Sequence, residues 1–210
     1  ASRAAAGDHN PTEALRLQAD AVLLRFASDF HVFAARPVLA RVALLIMAHI
    51  GAYTSDVTQP QRLAFAMLDR SSAGDLSIEA VEEYFMTRFG GVGEPSKLES
   101  AFAAVDVDGD GYITYLEFLS ATLPDAVRHD AKLCKVVFDC LDRNRDGFID
   151  EGDLAEALSR PRDVCADALA AVCETGRLSC DELLALMTGA PAAEAAADGG
   201  GRGLGGVVDF

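Results

Sequence analysis

The stretch that decides the fold is DVDGDGYITYLEF, residues 106–118. Acidic side chains alternate in it before a glycine, and one further acid follows after five intervening residues: Asp106, Asp108, Asp110 and then Glu117. Carboxylates this close repel one another, so their spacing indicates a tight loop that turns their oxygens toward one compact, hard cation. The backbone carbonyl of Tyr112 and both oxygens of Glu117 would complete the shell of ligands.

This order of ligands is the spacing of an EF-hand loop, which joins two helices and binds calcium. A second stretch, DRNRDGFIDEGD at residues 142–153, offers the same kinds of ligand: Asp142, Asn144, Asp146, the carbonyl of Phe148, a water held by Asp150, and Asp153. Asp is one methylene shorter than Glu, so closing the shell with both oxygens of Asp153 is harder. We therefore expect Ca²⁺ at both loops, with weaker binding at 142–153 and Mg²⁺ as an alternative ion there.

Two further loops keep the glycine and the bridging aliphatic residue of the unit but lack ligands. Residues 69–80, DRSSAGDLSIEA, place Ala73 and Ala80 where ligands belong. Residues 171–182, AVCETGRLSCDE, keep Glu182 but have Ala, Cys and Thr at the first three ligand positions. Both loops are predicted to hold no ion. A helix–loop–helix unit, or hand, thus repeats four times at intervals of roughly 30 to 37 residues, which predicts an all-α protein of two paired EF-hand lobes.

The same patterns divide the chain into four parts. These are an N-terminal helical segment at 1–50, a first lobe at 51–123, a second lobe at 124–188 and a Gly/Ala-rich tail at 189–210. The boundary between the lobes is placed near ATLPDAVRHD, residues 121–130, where Pro124 interrupts the helix that leaves the second hand. A boundary inside a continuous connector is the alternative.

The N-terminal segment carries an apolar, basic helical pattern. Apolar residues recur at helical spacing before and after Pro37, and arginines interrupt them: Val22, Phe26, Phe30, Phe33, Val38, Val42, Leu45 and Ile46, with Arg25, Arg36 and Arg41. A basic amphipathic helix beside acidic paired hands is typical of a helix that binds in their groove, supplied here by the same chain. Ordinary packing of a helical hairpin on the first lobe is the alternative.

Composition excludes several classes of function. The net charge is −15, and the acids are concentrated after residue 50, so nucleic acid is not an expected partner. The most apolar run, 42–50, is far shorter than the ~20 residues that cross a bilayer, so no membrane span is predicted. No metalloprotease motif and no recognisable nucleophile motif occurs, which predicts a protein that is not an enzyme.

The cysteines and the first residue bear on the compartment. Five cysteines, an odd number without a C-x-x-C pair, predict reduced thiols rather than disulfides or a zinc site. A cytoplasmic location is the expectation. Because the sequence begins with Ala, a mitochondrial or other organellar location after N-terminal processing is the alternative.

The second hand continues as ITYLEFLSATL, and the apolar N-terminal segment AVLLRFASDFHVFAARPVLARVALLIMAHI, residues 21–50, is followed by LAFAMLD at residues 63–69. This order resembles the calcium-dependent protein kinases of plants and protists, in the part that follows the kinase domain: a junction segment, a long helix and four EF-hands. The resemblance covers roughly residues 20–188 and implies that the segment 22–50 is the helix that the lobes grip. The motifs of the kinase domain itself are absent from this sequence.

These observations predict a non-enzymatic calcium sensor. It would use its second and third hands to change its grip on its own N-terminal helix, or on a protein partner that presents a basic amphipathic helix. One alternative is a constitutive structural subunit of a multi-subunit assembly, in which calcium or magnesium staples the fold. A further alternative is the excised regulatory domain of a calcium-dependent kinase.

Overall fold

The computed structural model describes residues 11–52, 56–91, 95–107 and 109–189, and these are mainly helical. In chain order the helices are α1 (Pro11–Ala34), α2 (Val38–Ala52), α3 (Gln59–Leu68), α4 (Ile78–Phe89), α5 (Pro95–Val105), α6 (Tyr115–Thr122), α7 (Asp125–Arg128), α8 (Ala131–Leu141), α9 (Glu151–Leu158), α10 (Arg162–Ala170) and α11 (Cys180–Thr188). Two short strands, β1 (Asp75–Leu76) and β2 (Ile113–Thr114), pair antiparallel. The predicted all-α class is confirmed. The predicted tail beyond Gly189 and the predicted ligand Asp108 lie outside the described residues.

The chain divides into two compact units, Ala1–Arg128 and His129–Phe210. The first unit contains α1 and α2 together with the first two hands, so the segment predicted at 1–50 shares a unit with the first lobe. The division between the units falls after Arg128, whereas the sequence places it at Pro124. The chain does break its helix at this proline, but α7 follows at once and packs on α2, which keeps it in the first unit.

Proline also shapes the N-terminal pair of helices. Its ring removes an N–H donor and disfavours helical geometry in the residue before it, so α1 ends at Ala34 and α2 begins directly after Pro37. Helix α1 then packs on α3, α5 and α6, and α2 packs on α6 and α7. The Arg41 side chain donates from Nη1 to the Ala104 carbonyl at 2.9 Å. This bond ties α2 to the last turn of α5, where the helix dipole favours a cation.

An aromatic cluster forms the centre of the first unit. Phe26 and Phe30 lie one turn apart on α1, with ring centroids 4.0 Å apart, and both are fully buried. The Phe26 ring is 5.5 Å from that of Phe85 on α4 and 5.9 Å from that of Phe118 on α6. Phe65 on α3 meets Phe118 at 5.6 Å. The N-terminal helix therefore supplies the middle of the apolar core between the helices of the first two hands.

A short backbone bridge joins the two loops of each unit. Leu76 pairs with Ile113 in the first unit, and Ile149 pairs with Leu178 in the second. All four side chains are buried. Two residues before each of them stands a glycine with positive φ, a conformation that side chains with a Cβ rarely adopt: Gly74, Gly111, Gly147 and Gly176. The glycine and the aliphatic residue repeat because each loop needs the same turn and the same bridge.

The second unit is built from α8, α9, α10 and α11, with α8 packed on α11 and α9 on α10. Its core includes Phe138, Leu154 and Leu183, all buried. No single helix in the described part of the chain is both long and apolar enough to cross a membrane. The pair Val38–Gly51 and Asp56–Leu68, which is bent by 113°, reaches such a length and hydropathy only when the two are added together.

Candidate metal centres

In the second loop, Asp106 organises the turn that follows α5. Its Oδ1 accepts hydrogen bonds from the backbone N–H groups of Gly109 at 2.7 Å and Asp110 at 3.2 Å. Its Oδ2 accepts from Gly111 N–H at 2.9 Å. Three backbone donors thus point at one carboxylate, which is the arrangement expected when the first ligand of the loop is turned inward. The side chain of Asp110 in turn accepts from Tyr112 N–H at 2.8 Å.

Glu117 approaches the same loop from the side of α6. Its side chain is only 5% exposed, and its Oε1 accepts from Val107 N–H at 2.8 Å. Its Oε2 accepts from both the N–H and the hydroxyl of Thr114, at 2.8 and 2.7 Å. Thr114 Oγ1 accepts from Glu117 N–H in return, so the two residues form a capping box at the start of α6. The predicted closing ligand is therefore also the residue that fixes where the outgoing helix begins.

The chemistry of the second loop fits a hard cation. Its predicted ligands are all oxygens, which Ca²⁺ and Mg²⁺ prefer. Across the described residues, no three His, Cys, Asp or Glu side chains form a group with metal-holding geometry. With Asp108 outside the described part, the ligand roles of Asp106, Asp110, Tyr112 and Glu117 stay predictions.

The third loop repeats this scheme. Asp142 is buried and accepts from the N–H groups of Asp146 at 3.2 Å and Gly147 at 3.1 Å. Asn144 Oδ1 also accepts from Asp146 N–H, at 2.8 Å, and Asp146 Oδ1 accepts from Phe148 N–H at 3.0 Å. The polar side chains predicted as ligands of the third loop are therefore held by backbone donors, as in the second.

Asp153 takes the place of Glu117 in this loop and is only 3% exposed. Its Oδ1 accepts from the N–H groups of Arg143 and Asn144, both at 3.1 Å, and its Oδ2 accepts from Asp150 N–H at 3.0 Å. Asp150 completes the capping box of α9, and the hydrogen bonds that it accepts, first that from Asp153 N–H, lower its pKa. The shorter side chain thus reaches the loop backbone.

Lengthening this side chain gives a direct test. We expect Asp153→Glu to raise the calcium affinity of the third loop about tenfold and to weaken competition by magnesium, because Glu can offer both oxygens to the larger ion. Calorimetric calcium titrations with and without magnesium measure both effects. Asp163→Glu, at an exposed residue in the first turn of α10, makes the same chemical change outside the loop and serves as control. Unchanged affinities for both ions in Asp153→Glu would contradict the idea.

In the first loop, the acid at the first ligand position, Asp69, accepts hydrogen bonds from the backbone of its own loop. The Asp69 carboxylate accepts from Gly74 N–H at 2.9 Å and Ala73 N–H at 3.0 Å, and these bonds lower its pKa. Ala73 and Ala80 stand at ligand positions and have no side-chain oxygen. Asp75 belongs to β1 and is paired with Thr114 on β2. This loop supports its neighbour through the bridge, and the prediction that it holds no ion stays a prediction.

The fourth loop uses its acid to cap a helix. Glu182 Oε2 accepts from the N–H and the hydroxyl of Ser179, at 2.8 and 2.7 Å, and these bonds lower its pKa. The two residues form the capping box of α11. Arg177 of this loop forms an ion pair with Asp146 of the third loop. Sequence reasoning missed this contact, although a basic residue directly before the bridging Leu178 was the available signal.

Comparisons with known proteins agree with this geometry. A family model described as an EF-hand domain pair matches residues 61–123, and a model described as EF hand matches residues 135–158. Both matches cover hands that the loop spacing predicts.

The chain is also similar to several curated proteins. "Calcium-dependent protein kinase 7" of Arabidopsis thaliana is 30% identical over 133 residues, which cover 59% of this chain and 24% of the kinase. "Calcium-dependent protein kinase 9" of Oryza sativa subsp. japonica is 28% identical over 130 residues, which cover 59% and 22%. "Troponin C" of Tachypleus tridentatus is 28% identical over 147 residues, which cover 65% and 95%.

The chain thus spans about a quarter of the length of these kinases and nearly all of the troponin C. The resemblance to calcium-dependent protein kinases is confirmed, and it lies outside their kinase domain, whose motifs this chain lacks. With the loops, the bridges and the matches together, the chain is shown to contain EF-hands: a pair over residues 61–123 and a further hand over residues 135–158.

Proposed function

We propose that the protein is a calcium sensor in which the second and third hands bind the ion and the first unit changes its hold on its own N-terminal helix. One observation carries this proposal. Phe26 and Phe30 of α1 are fully buried and pack against Phe118 on α6, with ring centroids 5.9 and 6.2 Å apart. Phe118 directly follows Glu117, the closing ligand predicted for the second loop.

This adjacency gives a physical route from ion to helix. A calcium ion that draws Glu117 toward the loop acts on the first turn of α6, since Glu117 also caps that helix through Thr114. Movement of this turn displaces Phe118 from the aromatic cluster that holds α1. Opening of paired helices on calcium binding is the usual response of sensor hands, and it exposes an apolar groove. The groove would then release α1 or accept a basic amphipathic helix of a protein partner.

A calcium titration of the chain tests this function. We expect about two ions to bind with dissociation constants of about 10⁻⁷ to 10⁻⁵ M, and to do so in the presence of magnesium. Hydrogen exchange over α1, measured with and without calcium, gives the second readout. Faster exchange in α1 with calcium supports the sensor. Fewer than two exchangeable ions, or unopposed occupation by magnesium, would contradict it.

A structural role is the second candidate, and the depth of the α1 contact favours it. A helix whose central phenylalanines are fully buried packs as a permanent part of a core does. In that case bound calcium or magnesium stabilises the fold of a subunit in a larger assembly. Hydrogen exchange in α1 would then be equally slow with and without calcium, although ions bind. The kinases among the relatives add regulation of a kinase domain as a third candidate.

The proposed compartment is the reducing cytoplasm. All five cysteines are free thiols, and burial raises the pKa of Cys134 to about 12, so this thiol stays protonated and unreactive at neutral pH. Localisation of a tagged full-length protein tests the compartment against an organellar alternative.

A further inference from the structure

Arg177 occupies a fixed place beside the third loop. It precedes Leu178, whose backbone exchanges two hydrogen bonds of 2.9 Å with Ile149. Both bridging side chains are buried. The backbone of Arg177 is therefore held at the third loop by the same bridge that joins the two hands, although its own loop lacks ligands.

Two contacts join the side chain of Arg177 to predicted ligand residues of the third loop. Its Nη2 forms an ion pair with Asp146 Oδ2. Its Cζ lies 4.4 Å from the ring centroid of Phe148, a cation–π contact. Asp146 Oδ1 accepts the Phe148 N–H at 3.0 Å. One oxygen of the Asp146 carboxylate is thus bonded to its own loop and the other to the guanidinium of the fourth loop.

We propose that Arg177 is an internal counter-cation of the third hand, which competes with a divalent ion for Asp146. The inference rests on the proposed calcium binding of that hand. A guanidinium at this carboxylate neutralises part of the negative charge that an ion needs, and it repels an ion that enters beside it. The same contact stabilises the loop when no ion is bound. Arg177 thereby lowers the calcium affinity of the third hand while it modestly stabilises the ion-free second unit.

The solvent exposure of Arg177 and Asp146 limits how far Arg177 lowers the calcium affinity of the third hand. The two side chains are 46% and 40% exposed, so water and salt screen the pair, and it weakens binding without preventing it. The cation–π contact and the bridge hold the guanidinium in place, which reduces the entropy that usually offsets an exposed ion pair.

The first unit has the opposite charge at the equivalent place. The residue before its bridging Leu76 is Asp75, whose backbone is paired with Thr114 of the second loop. A carboxylate there strengthens the negative field around the second loop, whereas Arg177 weakens that around the third. The residue before the bridging aliphatic residue thus carries opposite charge in the two units, in addition to the difference between Glu117 and Asp153.

The test introduces Arg177→Gln into a full-length chain that already carries Glu117→Gln, which serves as the parent. Because Glu117→Gln removes strong binding at the second hand, the calcium that still binds is bound by the third hand. We expect the calcium affinity of that hand to rise about threefold to tenfold by calorimetry. The ion-free second unit should melt at a lower temperature. At high salt the affinity difference between Arg177→Gln and its parent should shrink. The two readouts move in opposite directions because one contact stabilises the ion-free state only.

Two variants control for charge. Arg145→Gln removes the same charge from within the third loop, and a rise smaller than that of Arg177→Gln is expected from it. Arg177→Lys keeps the charge, so the calcium affinity of its third hand should be nearly that of the Glu117→Gln parent.

An affinity that is unchanged or reduced in Arg177→Gln overturns the proposal. If the calcium affinity and the melting temperature both fall, Arg177 serves only to support the backbone bridge between Ile149 and Leu178. Failure of the third hand to bind calcium both in Glu117→Gln and in the double variant overturns the proposed function of that hand as well. Equal binding in the two overturns only the role of Arg177.

Discussion

Replacing Phe26 by alanine should lower the free energy of unfolding of the first unit by about 3–5 kcal/mol. The Phe26 side chain is fully buried, and its ring touches rings from three helices: Phe30 on α1, Phe85 on α4 and Phe118 on α6. Truncation to alanine removes these contacts and leaves a cavity that the surrounding helices fill only in part. The loss should therefore lie at the upper end of the range for core substitutions.

Tyrosine fluorescence during urea unfolding measures this effect selectively. The chain has no tryptophan, and its four tyrosines, Tyr53, Tyr84, Tyr112 and Tyr115, all precede Arg128 in the sequence, the last residue of the first unit. Leu24→Ala is the matched control, because Leu24 is on the same helix but 67% exposed, and its truncation should cost about 0.5 kcal/mol or less. If Phe26→Ala were no more destabilising than this control, α1 would not belong to the core.

Replacing Glu117 by glutamine should weaken calcium binding at the second hand about 100-fold, from the range of sensors toward that of weak sites. Glutamine has one oxygen and no charge, so it cannot bind the ion with two oxygens. It can still accept the Thr114 N–H through that oxygen, so the capping of α6 should largely survive. Calorimetry should show about one strongly bound ion in place of two, and calcium should no longer change the fluorescence of Tyr112 and Tyr115.

Glu99→Gln makes the same chemical change at an exposed residue of α5 and should alter the affinity about twofold at most. Strong binding of two ions by Glu117→Gln would show that the second loop is closed by another group. Reduced melting of the ion-free variant would show that the capping role of Glu117 had also been lost.

The hands were predictable because their determinants are local. The glycine, the bridging aliphatic residue and the capping pair Thr114 and Glu117 lie within one loop, so spacing alone indicates how the chain turns there. The helical pattern of α1 was equally visible from Phe26, Phe30 and Phe33.

Other features depend on residues far apart in the sequence. That α1 fills the core of the first unit follows from packing against Phe85 and Phe118, more than fifty residues away. The division after Arg128 follows from the contact of α7 with α2, which no local pattern reveals. The pairing of Arg177 with Asp146 requires knowing which loops face each other.

The bond from Arg41 to Ala104 has a thermodynamic consequence. It attaches α2 to the last turn of α5, and Phe118 attaches α1 to α6, so both helices that flank the second loop are in contact with the N-terminal segment. If calcium changes how firmly this segment is held, the segment must change the affinity for calcium by the same factor, because coupling between two binding equilibria is reciprocal. A partner that withdraws α1 and α2 would then reset the calcium concentration at which the protein responds, without touching a single ligand.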